Sequence, residues 1–166
     1  IAAHQPTEMR ILTSFEKSAQ DGAAKYVYTR QVISEALRLY PPAFMLTRVA
    51  ARDTQLGCHK VRTGQRINIP IWAIHRSERF WQTPQVFDPD RFAPDRPAPE
   101  RYTYMPFGAG PRICIGEAFA MAEMTSVLAT ILPRVKIFPP PRESVWPKTE
   151  LALIPQAKMV VDISSR

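Results

Sequence analysis

Cys114 lies within the run Phe107-Gly108-Ala109-Gly110-Pro111-Arg112-Ile113-Cys114-Ile115-Gly116, where three glycines and a proline surround a single thiol. Glycine admits backbone conformations and close approaches closed to other residues, so a flat group laid against this loop would find room. An apolar, periodic segment follows at once, which places the thiol at a helix start, beside unpaired N–H groups and the positive end of the helix dipole. Both stabilise a thiolate. A thiolate so held can ligate iron, and its electron donation favours O–O cleavage. Arg112, two residues earlier, is a fixed cation suited to a carboxylate. Two other readings stand beside this one. A lone cysteine is commonly a small buried hydrophobe, and a nucleophilic cysteine would need a base that no neighbouring histidine offers.

A second candidate is Glu35-Ala36-Leu37-Arg38, which sets a carboxylate and a guanidinium at i,i+3 on one helix face. Most such pairs are solvated and contribute about 0.2–1 kcal/mol. This one is followed directly by Leu39-Tyr40-Pro41-Pro42, and further on by Phe87-Asp88-Pro89-Asp90-Arg91-Phe92. Cys58 and His59 read as an exposed turn, His75 as a satisfied structural histidine, and His4 as a helix-end residue. Trp72 and Trp81 read as packing groups rather than electron relays.

The elements that must position these groups follow from periodicity. Met9, Ile11, Leu12 and Phe15 recur at helical spacing between Pro6 and Gln20, with Gly22 beyond. A second helix spans about Tyr28 to Leu39 and is stopped by Pro41-Pro42. Thr47–Ala50, Val61 and Arg66–Pro70, with turns at Gly57 and Thr63-Gly64, predict a small antiparallel sheet. Ile71 to Arg76 predicts a short helix, and the proline-rich stretch from Glu78 to Tyr104 an ordered irregular one. The last long helix is predicted from near Cys114 to Leu132, ended by Pro133. Strands are predicted at Val135–Phe138, Leu151–Ile154 and Met159–Ile163. The class is mainly α with small β-sheets (α+β), with no βαβ alternation.

Composition narrows the function classes. The 166 residues are one domain's worth, 45% of them hydrophobic, with 17 prolines concentrated after residue 80. A net charge of +7 poses the question of an anionic partner. No basic run exceeds two residues and no nucleic-acid-binding signature accompanies the charge, so a docking face for an acidic protein is favoured over DNA or RNA. The two cysteines give neither a disulfide framework nor a zinc knuckle. No apolar stretch approaches the ~18–20 residues of a membrane span.

With these residues in view, the chain resembles the cytochrome P450 family along nearly its whole length. The cysteine loop matches the haem-thiolate pattern F-x-x-G-x-R-x-C-x-G at every fixed position, a long and strict signature. The family's E-x-x-R helix matches Glu35 and Arg38, and its loop arginine matches Arg91. The resemblance implies a buried structural network of these three that fixes the loops behind the haem. It implies haem b, iron protoporphyrin IX, with Cys114 as axial iron ligand. Arg112 and Arg48 would meet the propionates, Phe107 would shield the sulfur, and Gly108, Gly110, Ile115 and Gly116 would complete the cradle. Ala43, Phe44, Met45 and Leu46, and the turn near Leu151–Leu153, correspond to substrate-contacting segments. Their apolar character suggests a lipophilic small molecule.

The activity implied is insertion of one atom of O2 into that substrate, with electrons from a ferredoxin- or flavodoxin-type partner or a reductase domain. A peroxide-using or rearranging enzyme is the alternative within the family, and a non-catalytic remnant without haem the alternative outside it. Residues 1–166 are expected to form a single partial domain, the C-terminal haem-binding part of the fold. Ala2 to Pro6 resembles the exit of the family's oxygen-binding helix. The catalytic acid–alcohol pair and the distal helices are then expected upstream, the 166 residues alone are expected to be inactive, and apolar faces around Ile33, Leu37 and Phe119 to be partly uncovered. A cytoplasmic location is expected, with an N-terminal anchor left open.

Overall fold

The computed structural model describes residues 26–138 and 146–165. The helix expected over 6–20, and with it Ala2 to Pro6 and His4, lies outside them. Helix α1, Val27–Leu39, carries a nearly continuous buried face. Val32, Ile33, Leu37 and Leu39 are buried on it, and so are Thr29, Glu35 and Arg38. Each fully buried aliphatic side chain contributes about 1.5–3 kcal/mol, which sets α1 at the centre of the core with Phe87 packed against Val32 and Leu39. Tyr40 closes the helix by donating its N–H to Ala36 O at 2.7 Å, and Pro41 prevents its continuation.

Two antiparallel pairs follow. Strand β1 (Leu46–Val49) pairs with β4 (Arg66–Ile69), and between them β2 (Thr54–Leu56) pairs with β3 (His59–Val61). The turn at Gly57 and Cys58 is exposed, as its composition implies. Short helix α2, Ile71–Ile74, leads into an irregular stretch with a 3-10 turn at Pro89–Phe92. A second 3-10 turn, Gly110–Arg112, precedes helix α3, Glu117–Ile131. Strand β5 (Val135–Phe138) pairs with β8 (Asp162–Ser165), and β6 (Pro147–Thr149) with β7 (Leu153–Pro155).

Several expectations change, and the last two strands begin two to three residues later than expected. The small sheet is two separate two-stranded pairs, and β6 had no sequence signal, because Pro147 opens it. Helix α3 begins at Glu117 rather than at Cys114, because Gly116 takes the capping position and Cys114 O accepts the Glu117 N–H in a preceding turn, at 3.3 Å. Ile33 and Leu37, whose surroundings were expected to be partly uncovered, are buried, whereas Phe119 is 72% exposed as anticipated.

Candidate functional site

The site is built on a loop that doubles back. Gly108 and Gly110 hold φ of 81° and 75°, a region that side chains other than glycine's rarely enter. Gly108 N–H donates to Met105 O at 3.0 Å, and Cys114 N–H returns to Phe107 O at 2.9 Å. The loop thus brings the Cys114 backbone back against that of Phe107, seven residues earlier. Strand β1 approaches from the other side, and a Cβ on Gly108 would stand 3.5 Å from Leu46 Cδ1.

Between loop and strand lies an open cleft of about 580 Å³. Pro42, Ala43, Leu46 and Pro106 make its walls apolar, and Arg48, Arg112 and Cys114 supply its chemistry, with Phe107 and Gly108 on its floor. Five expected cofactor residues therefore meet in one place. Gly110, Ile115 and Gly116 do not line the cleft; Ile115 is fully exposed, and Gly116 lies beneath the sulfur, where an added Cβ would make an ordinary 3.7 Å contact with Sγ. Of the four expected substrate residues, Ala43 and Leu46 line it. Phe44 and Met45 do not: Phe44 O accepts the Trp72 N–H at 3.0 Å and Met45 points outward, 43% exposed. The Leu151–Leu153 turn is joined to the same region, since Leu153 N–H donates to Pro42 O at 2.9 Å.

The lining suits a flat, mostly apolar group carrying carboxylates. Arg48 and Arg112 form no salt bridge among the described residues. No cluster of three metal-ligating side chains forms among those residues either. An iron ion held by Cys114 would have to bring most of its ligands with it, as it does inside a porphyrin.

Behind the loop, every N–H direction of the Arg38 guanidinium is used. Nε and Nη2 grip both oxygens of Glu35 at 2.7 and 2.8 Å. Nη1 donates to His75 O and Pro84 O, and Nη2 also to Val86 O. Glu35 Oε1 accepts the Asp88 N–H at 2.8 Å as well. Both side chains are wholly buried, and the Trp81 ring covers Arg38, its centroid 5.1 Å from Cζ. Arg91 stands at the rim: its Nε lies 3.4 Å from Glu35 Oε1, its side chain is 12% exposed, and its Nη2 donates to Thr83 O.

His75 is wholly buried. Its Nδ1 meets Arg38 O at 3.1 Å, and its Nε2 accepts the Met105 N–H at 2.8 Å. Burial pushes its pKa down to about 4, helped by the neighbouring Arg38 and Arg76 cations and opposed by the bond to Arg38 O. The sequence marked His75 as structural but carried no sign of its link to the cysteine loop. Arg76 was not singled out at all. Its guanidinium packs 3.4 Å from the Trp72 centroid and donates to Leu39 O, and burial holds its pKa down at about 10.

Residues 9–162 match the family model for cytochrome P450. The chain is 38% identical over 130 residues to the cyclooctatin synthase of Streptomyces melanosporofaciens, covering 78% of this chain and 28% of that protein. It is 37% identical over 132 residues to the thromboxane-A synthase of Sus scrofa, covering 79% and 24%. Against the cytokinin hydroxylase of Arabidopsis thaliana it is 43% identical over 113 residues, covering 68% and 22%. The crystal structure of the cytochrome P450DA haem domain superposes with a TM-score of 0.83 at 26% identity, over 95% of this chain and 37% of that one. The chain spans between a fifth and a third of the length of these curated relatives.

Proposed function

Because this chain belongs to the cytochrome P450 family of oxidoreductases, we propose that it supplies the thiolate side of a haem site in a monooxygenase acting on a lipophilic small molecule. One observation carries the reading: Cys114, Arg112 and Arg48 converge on a single apolar cleft. Cys114 would hold the iron of haem b through Sγ. Arg48, from β1, and Arg112, from the loop, would neutralise and orient the two propionates, which lysine's point charge does less specifically. Phe107 would cover the sulfur, and Pro42, Ala43 and Leu46 would keep water from the apolar edge. Haem so bound supplies reductive O2 activation, R–H + O2 + 2 e⁻ + 2 H⁺ giving R–OH + H2O, with the difficult chemistry residing in the cofactor. Glu35, Arg38 and Arg91 touch none of these atoms and act by holding the loop's support.

Electrons would come from an acidic ferredoxin- or flavodoxin-type partner or a reductase domain, drawn by the basic excess. A rearranging member of the family is the second reading, favoured by the likeness to a protein named thromboxane-A synthase. The deciding experiment uses the protein expressed from its natural reading frame. Reduced and exposed to CO, it should show the strongly red-shifted Soret band of thiolate-ligated haem, and Cys114→Ala should abolish that band. Survival of the band in the variant would remove Cys114 as ligand.

A further inference from the structure

The ligand loop is tied to the buried ion pair at one point. Nε2 of His75 accepts the Met105 N–H, so the lone pair is on Nε2 and the ring proton on Nδ1, facing Arg38 O. Arg38 and His75 are bonded reciprocally, since the guanidinium donates to His75 O at 2.7 Å while the imidazole donates to Arg38 O. From Met105 the path continues into the loop. Met105 O accepts the Gly108 N–H, and Phe107 O accepts the Cys114 N–H. Tyr104, immediately before Met105, stacks on the imidazole with centroids 5.5 Å apart and donates its hydroxyl to Ser34 O on α1.

Resting on the assignment of Cys114 as thiolate ligand, we propose that His75 is a positioning residue for that thiolate: its neutral imidazole transmits the fixed position of Arg38 to Met105 and so sets where the cysteine loop presents Sγ. The bond that matters is the one to Met105, and it needs an acceptor. A proton on Nε2 would turn it into a second donor facing the Met105 N–H, and the loop would be pushed off its anchor. The charged and titratable groups around the ring oppose such protonation unequally. Arg38 on α1 and Arg76 after α2 disfavour it, Glu35 on α1 is already committed to Arg38, and the Tyr104 hydroxyl stays protonated.

Two substitutions separate this role from packing. His75→Asn offers an amide donor near Nδ1 and reaches Arg38 O but not Met105. His75→Gln carries its carbonyl to the level of Nε2 and restores an acceptor for Met105. In the haem-loaded protein, His75→Asn should lower the thiolate-type fraction of the ferrous–CO spectrum about tenfold, the lower end of what loss of a supporting contact does to a metal site. Far-ultraviolet helix content should stay unchanged. His75→Gln should recover most of that fraction, and its thiolate band should persist to lower pH than that of the native protein, since the amide does not titrate. Native-like spectra for His75→Asn, beside a Cys114→Ala control lacking the band, would overturn the role of His75 alone. Equal loss in both variants with falling helix content would make it a packing residue and also overturn the proposal. A red-shifted band surviving in Cys114→Ala would overturn the ligand assignment, and this role with it.

Discussion

Arg38 and Arg91 share one carboxylate and differ in what each would leave behind. Removing Arg38 strands a wholly buried Glu35 and three carbonyl oxygens, at 75, 84 and 86, and such losses cost about 3–5 kcal/mol. Removing Arg91 leaves Glu35 paired with Arg38 and the Asp88 N–H, and forfeits the 3.4 Å ion pair to Glu35 Oε1 and the contacts to Thr83 O and Oγ1, for about 1–3 kcal/mol. Urea unfolding of Arg38→Ala and Arg91→Ala should rank them in that order; equal losses would place Arg91 inside the network rather than at its rim. His75 adds a pH signature. Its folded pKa, about 4, lies below the ordinary 6.5, so below pH 6.5 the unfolded chain binds the proton first. Stability is intact above that value, declines as pH falls, and has lost up to about 3 kcal/mol by pH 4. The same titration in His75→Gln should lack this component.

At the scale of elements, the loop's three glycines are not equivalent. Gly108 and Gly110 hold left-handed φ values, whereas Gly116, at φ −85°, meets only an ordinary contact from an added Cβ. Gly108→Ala should therefore cost about 1–2 kcal/mol and reduce haem retention, while Gly116→Ala should fold and retain haem almost normally. Thermal melts with haem content measured alongside check both. The sequence made α1, strands β1 and β4 and the cysteine loop legible, because hydrophobic period, double proline and glycine spacing are local signals, whereas β2 carried none. It placed the start of α3 three residues early, since apolar periodicity cannot distinguish a turn from the first turn of a helix. It missed β6, where proline masks an edge strand, and the His75–Met105 bond, because residues thirty positions apart meet only through the meander. Arg91 was expected in a buried network with Glu35 and Arg38; it ion-pairs with Glu35 at 3.4 Å with its side chain 12% exposed, a degree of burial that spacing does not report.

The whole molecule joins a basic surface to an apolar one. Arg48, Arg52, Lys60, Arg62 and Arg66 fall within the β1–β4 region against Asp53 alone, and Asp53 is engaged by Thr63. Electron transfer from an acidic donor should accordingly slow as ionic strength rises; a flat profile would leave the charge to solubility. Helix α3 shows solvent Phe119, Val127 and Ile131, an exposed apolar face that association would cover. The 166-residue chain should self-associate at micromolar concentration, and Phe119→Glu should weaken that association in sedimentation measurements. No described helix is long and apolar enough to cross a membrane. The buried ion pair of α1 also bears on how the chain reaches this state. Helix α1 can form from local contacts, but the acceptors of Arg38 lie 37 to 48 residues downstream, and a charge pair cannot leave water until they arrive. Closure of the meander over α1 must therefore come late, as long-range pairings do. Arg38→Lys should then hasten unfolding far more than it slows refolding, which stopped-flow measurements of the two rates would register as a low φ-value for this five-bonded side chain.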